Sequence, residues 1–246
     1  MSIEEAIKKS KNMSPVKGGS NKKCYIIDDY ALLVGSSVDR DNLATEKINK
    51  IQNLKNEGIN VIITIEVKTI SGIDYELQER APGEELYDYY DMKSSEAGQL
   101  KYLKRLISLS EESIDFYMKF LNDWDSLLKS GIAVDPCKMS NFFYEKGKGI
   151  YFVDLNILTS KYEDRKEYMY YEAASVLRGG SLLWMCNLVE DQAIEYVKII
   201  YQKLGIAIIK LNGNIDEYIN RIDPENEYSL KSFFENFIEN KARYNK

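Results

Sequence analysis

The sequence contains no histidine in its 246 residues. This absence excludes the usual serine–histidine and cysteine–histidine nucleophilic sites, and it also excludes zinc or iron sites that need imidazole ligands. Any catalytic chemistry in this chain must therefore rest on carboxylates, amides, lysines or backbone amides.

Cysteine and long hydrophobic runs are scarce as well. The three cysteines, Cys24, Cys137 and Cys186, are far apart and form no CxxC pair, which predicts reduced thiols in a reducing compartment. The longest apolar stretches fall far short of the roughly 20 residues that span a bilayer, and segment 1–16 is polar rather than signal-like. We therefore predict a cytoplasmic protein with no membrane partner.

The overall charge is acidic. Lys and Arg number 33 against 39 Asp and Glu, which gives a formal net charge of -6 and disfavours general binding to nucleic acid. Hydrophobic residues make up 44% of the chain and charged residues 29%, as in a soluble globular protein. A chain of this length can bury a sizeable core.

The first 80 residues have the hydrophobic pattern of a β-β-α-β-β order. The pair Asp28-Asp29 fits a hairpin turn, and Gly58 fits the end of a helix. The predicted elements are strands at 24–27 and 30–34, a helix at 39–57, and strands at 61–67 and 75–78.

The pattern changes after Pro82-Gly83 and becomes mainly helical. Ser108 with Glu111 fits a capping box ahead of a second helix, and Gly131 fits that helix's end. The predicted elements are helices at 100–109 and 114–128, strands at 141–144 and 150–153, and further helices from 161 onward. The sequence thus predicts an α+β fold with a small antiparallel-sheet N-terminal lobe and a mainly helical C-terminal lobe.

Three segments could carry chemistry. In the turn at 17–23, paired glycines would let backbone amides approach a phosphate while lysines add positive charge, although a flexible surface turn is the alternative. Asp135 follows a long amphipathic helix, and Asp154 ends an apolar strand. The predicted hairpin would bring Asn141 close to Asp154, and two oxygen ligands of this kind suit Mg²⁺.

Asp135 could accept a proton from an attacking hydroxyl. The structural alternatives are an Asp-Pro turn at Asp135 and a capping role for Asp154. Tyr87, Tyr89 and Tyr90 could stack on a substrate or pack at a lobe junction.

The order of these segments resembles the protein-kinase-like fold, most closely the aminoglycoside phosphotransferase and choline kinase family. Gly18-Gly19-Ser20-Asn21 is similar to the family's phosphate-covering loop, and residues 75–84 are similar to its hinge, where adenine would bond to backbone. The resemblance runs from about residue 16 to residue 156. It implies that the nucleotide-binding residues are Gly18, Gly19, Ser20, Asn21, Lys22, Lys23, Glu46, Gln78, Glu79 and Arg80.

The resemblance also implies a catalytic group and a division of the chain. Asp135 resembles the catalytic-loop base, Asn141 the metal-binding amide and Asp154 the second metal ligand. The implied parts are an N-lobe at 1–78, a hinge at 79–86 and a C-lobe at 87–246 with its catalytic loop at 133–156. The implied function is ATP- and Mg²⁺-dependent transfer of a phosphoryl group to a hydroxyl of a small molecule or protein.

The sequence departs from the family pattern at three points. Leu33 stands where the family has a lysine or arginine, so Lys22 or Lys23 would have to supply that charge for Glu46. Ala133 replaces a histidine, and six positions rather than five separate Asp135 from Asn141. These departures suggest an alternative, a catalytically impaired pseudokinase that binds a nucleotide or a partner. A third interpretation, a helical interaction protein with accidental matches, predicts no sheet-rich lobe.

Overall fold

The structure is a computed structural model that describes residues 1–16, 23–35, 42–88, 95–180, 190–211 and 213. The predicted phosphate-covering residues Gly18, Gly19, Ser20, Asn21 and Lys22 lie outside the described residues, as do Tyr89 and Tyr90. The described part is α+β, with an antiparallel sheet followed by a helical portion, which confirms the predicted fold class.

The chain forms helices and strands in nearly the order that the sequence predicts. The N-terminal elements are α1 (Ile3–Ser10), β1 (Lys23–Ile27), β2 (Tyr30–Val34), α2 (Asn42–Asn56), β3 (Thr64–Ile70) and β4 (Ile73–Glu79). They are followed by β5 (Glu84–Glu85), α3 (Glu96–Glu111), α4 (Ile114–Lys129), β6 (Ile132–Ala133), a 3-10 turn (Met139–Asn141), β7 (Phe142–Glu145), β8 (Gly149–Phe152), β9 (Asn156–Ile157), α5 (Tyr162–Leu177) and α6 (Glu190–Lys210). None of the helices in these ranges is long and apolar enough to cross a membrane.

The N-terminal sheet has the strand order β1-β2-β4-β3, with every neighbouring pair antiparallel. The first hairpin turns at Asp28, whose φ of 55° is one that aspartate tolerates better than most residues. On one face, Leu32 and Leu77 pack in a small core with Ile3 and Ala6 of α1. This sheet contradicts the interpretation of the chain as a purely helical interaction protein.

The larger core lies in the C-terminal portion, around the aromatic stripe of α4. Phe120 stacks on Phe152 with ring centroids 5.8 Å apart, and Trp124 lies 5.6 Å from Phe142. These contacts hold strands β7 and β8 against α4. The same core includes Ile51 and Leu54, so the second half of α2 packs on the helical portion.

The start of α4 differs from the prediction. Ser113 caps the helix and accepts a hydrogen bond from the backbone N–H of Phe116, whereas Ser108 lies inside α3. The break comes later than predicted because Glu112 is extended and its buried carboxylate is held by the hydroxyl of Tyr144, 2.6 Å away, and by the Gly147 N–H. A local sequence motif does not reveal these long-range bonds.

An ion pair between a buried aspartate and a partly exposed lysine fixes the segment after α2 against α4. The Asp123 carboxylate accepts bonds from the Asn60 N–H at 3.2 Å and from Lys119 Nζ at 2.9 Å, and Lys119 also donates to the Gly58 carbonyl at 3.0 Å. Burial raises the pKa of Asp123, while the bond from Lys119 opposes that rise. The pair therefore joins the residues that follow α2 to the helical portion.

Replacing Lys119 with methionine should destabilise the fold by about 1–2 kcal/mol near neutral pH, because it leaves the Asp123 charge buried without its cation. This estimate is below that for a fully buried pair because the Lys119 side chain is 40% exposed. Chemical denaturation would measure the change, with Lys198→Met as the control because Lys198 forms an exposed pair with Glu195.

The pH dependence of the Lys119→Met variant provides a second check. Asp123 has a raised pKa in the folded state, so the folded protein takes up its proton first as the pH falls, and the variant raises that pKa further. A protonated carboxyl no longer needs a cation. The defect should therefore shrink from about pH 7 toward about pH 4, and a defect that grows instead would contradict this account of the pair.

Gly83 allows the predicted hinge to approach β7. Its φ is +76°, and a Cβ at this position would lie 2.3 Å from the Tyr144 carbonyl oxygen. Gly72 has nearly the same φ, +77°, and a Cβ there would have nothing within 4 Å. The two glycines therefore share a backbone conformation and differ in their surroundings.

Gly83→Ala should lower the free energy of unfolding by about 3 kcal/mol, because the left-handed conformation and the overlap with backbone both oppose a methyl group. Gly72→Ala should cost about 1 kcal/mol, from the conformation alone. Urea denaturation of both variants would measure the difference. Equal losses would show that the backbone at Gly83 does not closely contact β7.

Candidate functional site

Two short strand pairs end close in the chain to the three predicted catalytic residues, Asp135, Asn141 and Asp154. In the β6–β9 pair the last partners are Ala133 and Asn156, and Asp135 and Asp154 each lie two residues beyond that pairing. In the β7–β8 pair the last partners are Phe142 and Phe152, so Asn141 directly precedes this pair and Asp154 follows it by two residues. Asp135, Asn141 and Asp154 thus all lie in the segments next to the ends of these pairs.

Asn141 links the two strand pairs. Its carbonyl accepts a bond from the Val153 N–H at 2.9 Å, one residue before Asp154. Its side-chain Nδ2 donates to the Asp135 carbonyl at 3.3 Å, and the residue is only 3% exposed. The amide is thereby oriented, and its Oδ1 is the side-chain atom that could ligand a cation.

Asp135 forms a tight turn at the start of the loop. Its Oδ1 accepts a bond from the Cys137 N–H at 3.0 Å, and Lys138 Nζ lies 3.7 Å from its Oδ2. This is the Asp-Pro turn that the sequence offered as an alternative. The carboxyl nevertheless remains 38% exposed, so the structural role leaves it accessible to a ligand.

Asp154 has a backbone conformation that is unusual for a residue other than glycine, with a φ of 50°. The two other such residues in the described part, Asp28 and Ser71, sit in two-residue hairpin turns. Asp154 instead lies between β8 and β9, and the Asn156 side chain donates to its carbonyl at 3.2 Å. Such conformations concentrate at functional sites, where they aim a side chain.

Two other predicted nucleotide-binding residues, Lys23 and Glu46, are exposed on different elements. Lys23 is exposed at the start of β1, opposite Val34. Glu46 is exposed on α2 and pairs with Lys50 one turn later, at 2.7 Å. A cation of its own helix therefore pairs with Glu46, where the family pattern has a cation on a strand.

The predicted hinge begins within the sheet, because β4 continues through Glu79. The Glu79 N–H donates to the Ile63 carbonyl at 3.0 Å, and the Arg80 N–H donates to the Asp29 carbonyl at 2.9 Å. These two backbone N–H groups are thus already hydrogen-bonded within the protein. Any adenine bond in this segment would fall to carbonyls or to later N–H groups.

Glu76 is a buried polar residue of β4 that the sequence analysis did not single out. It is 5% exposed, and its Oε1 accepts bonds from the Thr64 hydroxyl and from Gln78 Nε2, both at 2.7 Å. In the β2–β4 register Glu76 lies opposite Leu33, where the family pattern has a cation. The alternation of Glu76, Leu77 and Gln78 is typical of a solvated strand face, so the local pattern does not indicate this burial.

Tyr87 packs between helices. Its ring lies 5.1 Å from that of Tyr102, and its hydroxyl donates to the Leu177 carbonyl. Burial raises its pKa well above the ordinary value. Of the two interpretations of the tyrosine cluster, packing is the one that applies to Tyr87.

The donor chemistry of the site fits magnesium. In the described residues no three histidine, cysteine, aspartate or glutamate side chains gather as a metal cluster. The candidate donors are the amide oxygen of Asn141 and the carboxylate of Asp154. Such a set suits Mg²⁺, which retains several waters and usually takes one or two carboxylates together with substrate phosphates.

Comparison with known proteins gives little direct guidance. No protein-family model matches the chain, and no curated protein matches it. The chain is similar to a solved structure of the Cydia pomonella granulovirus kinase PK-1, with 12% sequence identity and a TM-score of 0.40, over 88% of this chain and 96% of that chain. At this identity and TM-score, the likeness carries neither activity nor ligand from that kinase to this chain.

Proposed function

We propose that the chain is a kinase-like phosphotransferase that uses ATP and Mg²⁺ to phosphorylate a hydroxyl group. The single observation that supports this most strongly is the pair of hydrogen bonds by which Asn141 links the Asp135 backbone to Val153, the residue before Asp154. A proton acceptor beside two oxygen ligands is the arrangement that phosphoryl transfer needs, because this reaction depends mainly on positioning and electrostatics.

Each residue has a distinct role in this proposal. Asn141 Oδ1 and the Asp154 carboxylate would hold Mg²⁺, which neutralises phosphate charge when it is bound. The acceptor oxygen forms a bond to the γ-phosphorus while the bond between that phosphorus and the bridging oxygen of ADP breaks. Asp135 takes the hydroxyl proton, and ADP leaves with the electron pair of the broken bond.

The surroundings of Asp135 suit a proton acceptor. The N–H of Cys137 fixes one carboxylate oxygen at 3.0 Å, which orients the other. Lys138 Nζ lies 3.7 Å from that other oxygen, Oδ2. The Asp135 carboxylate is thus both oriented and accessible.

The proposal is tested by following the thermal stability of the native protein during titration with ATP, once with Mg²⁺ and once with EDTA. A ligand that binds only the folded state at 100 times its Kd stabilises it by about 2.7 kcal/mol, so the melting temperature should rise with Mg²⁺ present. No rise at millimolar Mg-ATP would overturn the proposal.

A second candidate function is a pseudokinase that binds a nucleotide or a partner without turnover. It is favoured by the hydrophobic side chain of Leu33 opposite the buried Glu76, and by the pairing of Glu46 with Lys50. Both candidates predict nucleotide binding. They differ in ADP formation, which the pseudokinase should not raise above that of an Asp135→Ala control, and clear phosphoryl transfer to any acceptor would exclude it.

A further inference from the structure

A cavity of about 420 Å³ lies between the loop that follows Asp135 and helix α5. Pro136, Cys137 and Met139 form one side, and Tyr171 and Glu172 of α5 lie across from them. The volume falls within the range of small-molecule sites, roughly 300–1,000 Å³. The lining thus begins at Pro136, the residue after the proposed proton acceptor, and the cavity has room for a compact ligand.

The lining is mostly apolar and aromatic. Tyr168 and Tyr171 contribute rings, and Pro136 and Met139 contribute apolar surface. Ser175 adds a hydroxyl. Aromatic rings bind other rings and the apolar faces of sugars, and a few polar groups then fix the orientation of the ligand.

The charge in the lining is already paired. Both carboxylate oxygens of Glu172 lie close to Arg165 Nη2, at 2.9 and 3.0 Å, and the Glu172 side chain is only 14% exposed. Burial raises the pKa of Glu172, and Arg165 opposes that rise. A cationic ligand would have to compete with Arg165 for this carboxylate.

An anionic ligand would meet a different obstacle. It would lie beside the Glu172 carboxylate, whose pKa the nearby Asp135 charge also raises. A carboxylate repels an anion, so the cavity favours neither sign of charge.

We propose that this cavity binds the phosphoryl acceptor and that the acceptor is a small neutral alcohol with a ring, either a sugar or an aromatic alcohol. This inference rests on the proposed function. The ring would lie against Tyr171, with its hydroxyl directed to Asp135. The acceptor oxygen gains the phosphoryl group, its proton passes to Asp135, and ADP is the other product.

The test uses two pairs of probes in which one hydroxyl is replaced by a charged amine while a primary hydroxyl is kept, with ADP formation as the readout. Glucose is compared with glucosamine, and 1,4-benzenedimethanol with 4-(aminomethyl)benzyl alcohol, at saturating Mg-ATP. We expect the neutral member of at least one pair to stimulate ADP formation at least tenfold more than its amine, and the pair that responds tells a sugar from an aromatic alcohol. A preference for the amine, or no stimulation by either neutral probe, would overturn the inference.

Variants that fill the cavity provide the second arm. Ser175→Trp adds bulk from α5 and Cys137→Trp adds it from the opposite side, so one remains informative if the other fails to fold. Asp164→Trp is the control, because Asp164 is exposed near the start of α5. Both filled variants should lose at least tenfold in acceptor-dependent ADP formation, and the control should not.

Measurement of Mg-ATP binding distinguishes a failure of the acceptor site from a failure of the proposed function. The filled variants should keep the Mg²⁺-dependent thermal shift with ATP, because the cavity is not assigned to the nucleotide. A native protein without that shift would refute the proposed function. A normal shift with acceptor-dependent activity unaffected by both tryptophans would refute only the acceptor site.

Discussion

Asp154→Asn should weaken the Mg²⁺-dependent binding of ATP by at least about tenfold, equivalent to about 1.4 kcal/mol. The substitution removes the only carboxylate that we assign to the metal and keeps a side chain of the same size. Asparagine tolerates a φ of 50° as aspartate does, so the backbone between β8 and β9 should be retained. Isothermal titration calorimetry with Mg-ATP would measure the change.

A matched control exists elsewhere in the chain. Asp28→Asn makes the same substitution at a φ of 55°, in the turn of the first hairpin, where Asp28 pairs with Lys9 on the surface. This variant should bind Mg-ATP as the native protein does. Equal affinity of the Asp154→Asn variant and the native protein would contradict the assigned metal ligand.

Asp135→Asn should reduce ADP formation by about 10²–10⁴-fold, the usual contribution of a general base. An asparagine oxygen can still accept the bond from the Cys137 N–H, so the turn should persist while the proton acceptor is lost. Binding of Mg-ATP should change little. Single-turnover measurement of ADP with enzyme in excess would detect even slow transfer.

Asp164→Asn is the control for this second variant, since Asp164 is an exposed carboxylate at the start of α5. It should form ADP at the native rate. An Asp135→Asn variant with undiminished ADP formation would show that this carboxylate is not the proton acceptor. Equal and negligible ADP formation by native protein and variant would favour the pseudokinase alternative.

The order of the strands and helices was predicted well from the sequence where the residue type itself indicates a turn. The Asp28-Asp29 turn, Gly58 after α2 and Gly131 after α4 all lie where the structure ends an element. Each of these signals is local. Aspartate and glycine tolerate left-handed backbone conformations, so the residue type itself indicates the turn.

Only part of the candidate site could be predicted from the sequence. A hairpin was predicted to bring Asn141 close to Asp154, and the bond from the Val153 N–H to the Asn141 carbonyl joins the neighbouring backbones. The burial of Glu76 and the pairing of Glu46 with Lys50 depend on which face of an element meets another. Tertiary packing decides that, and alternation along one strand does not reveal it.

The most direct test of the central claim is a crystal structure of the native protein with Mn²⁺ and a non-hydrolysable ATP analogue, in which anomalous scattering locates the metal. Mn²⁺ prefers the same oxygen ligands as Mg²⁺. We expect an anomalous peak within about 2.0–2.3 Å of both Asn141 Oδ1 and an Asp154 carboxylate oxygen, with the γ-phosphate facing Asp135. A metal bound away from Asn141 and Asp154 would contradict it.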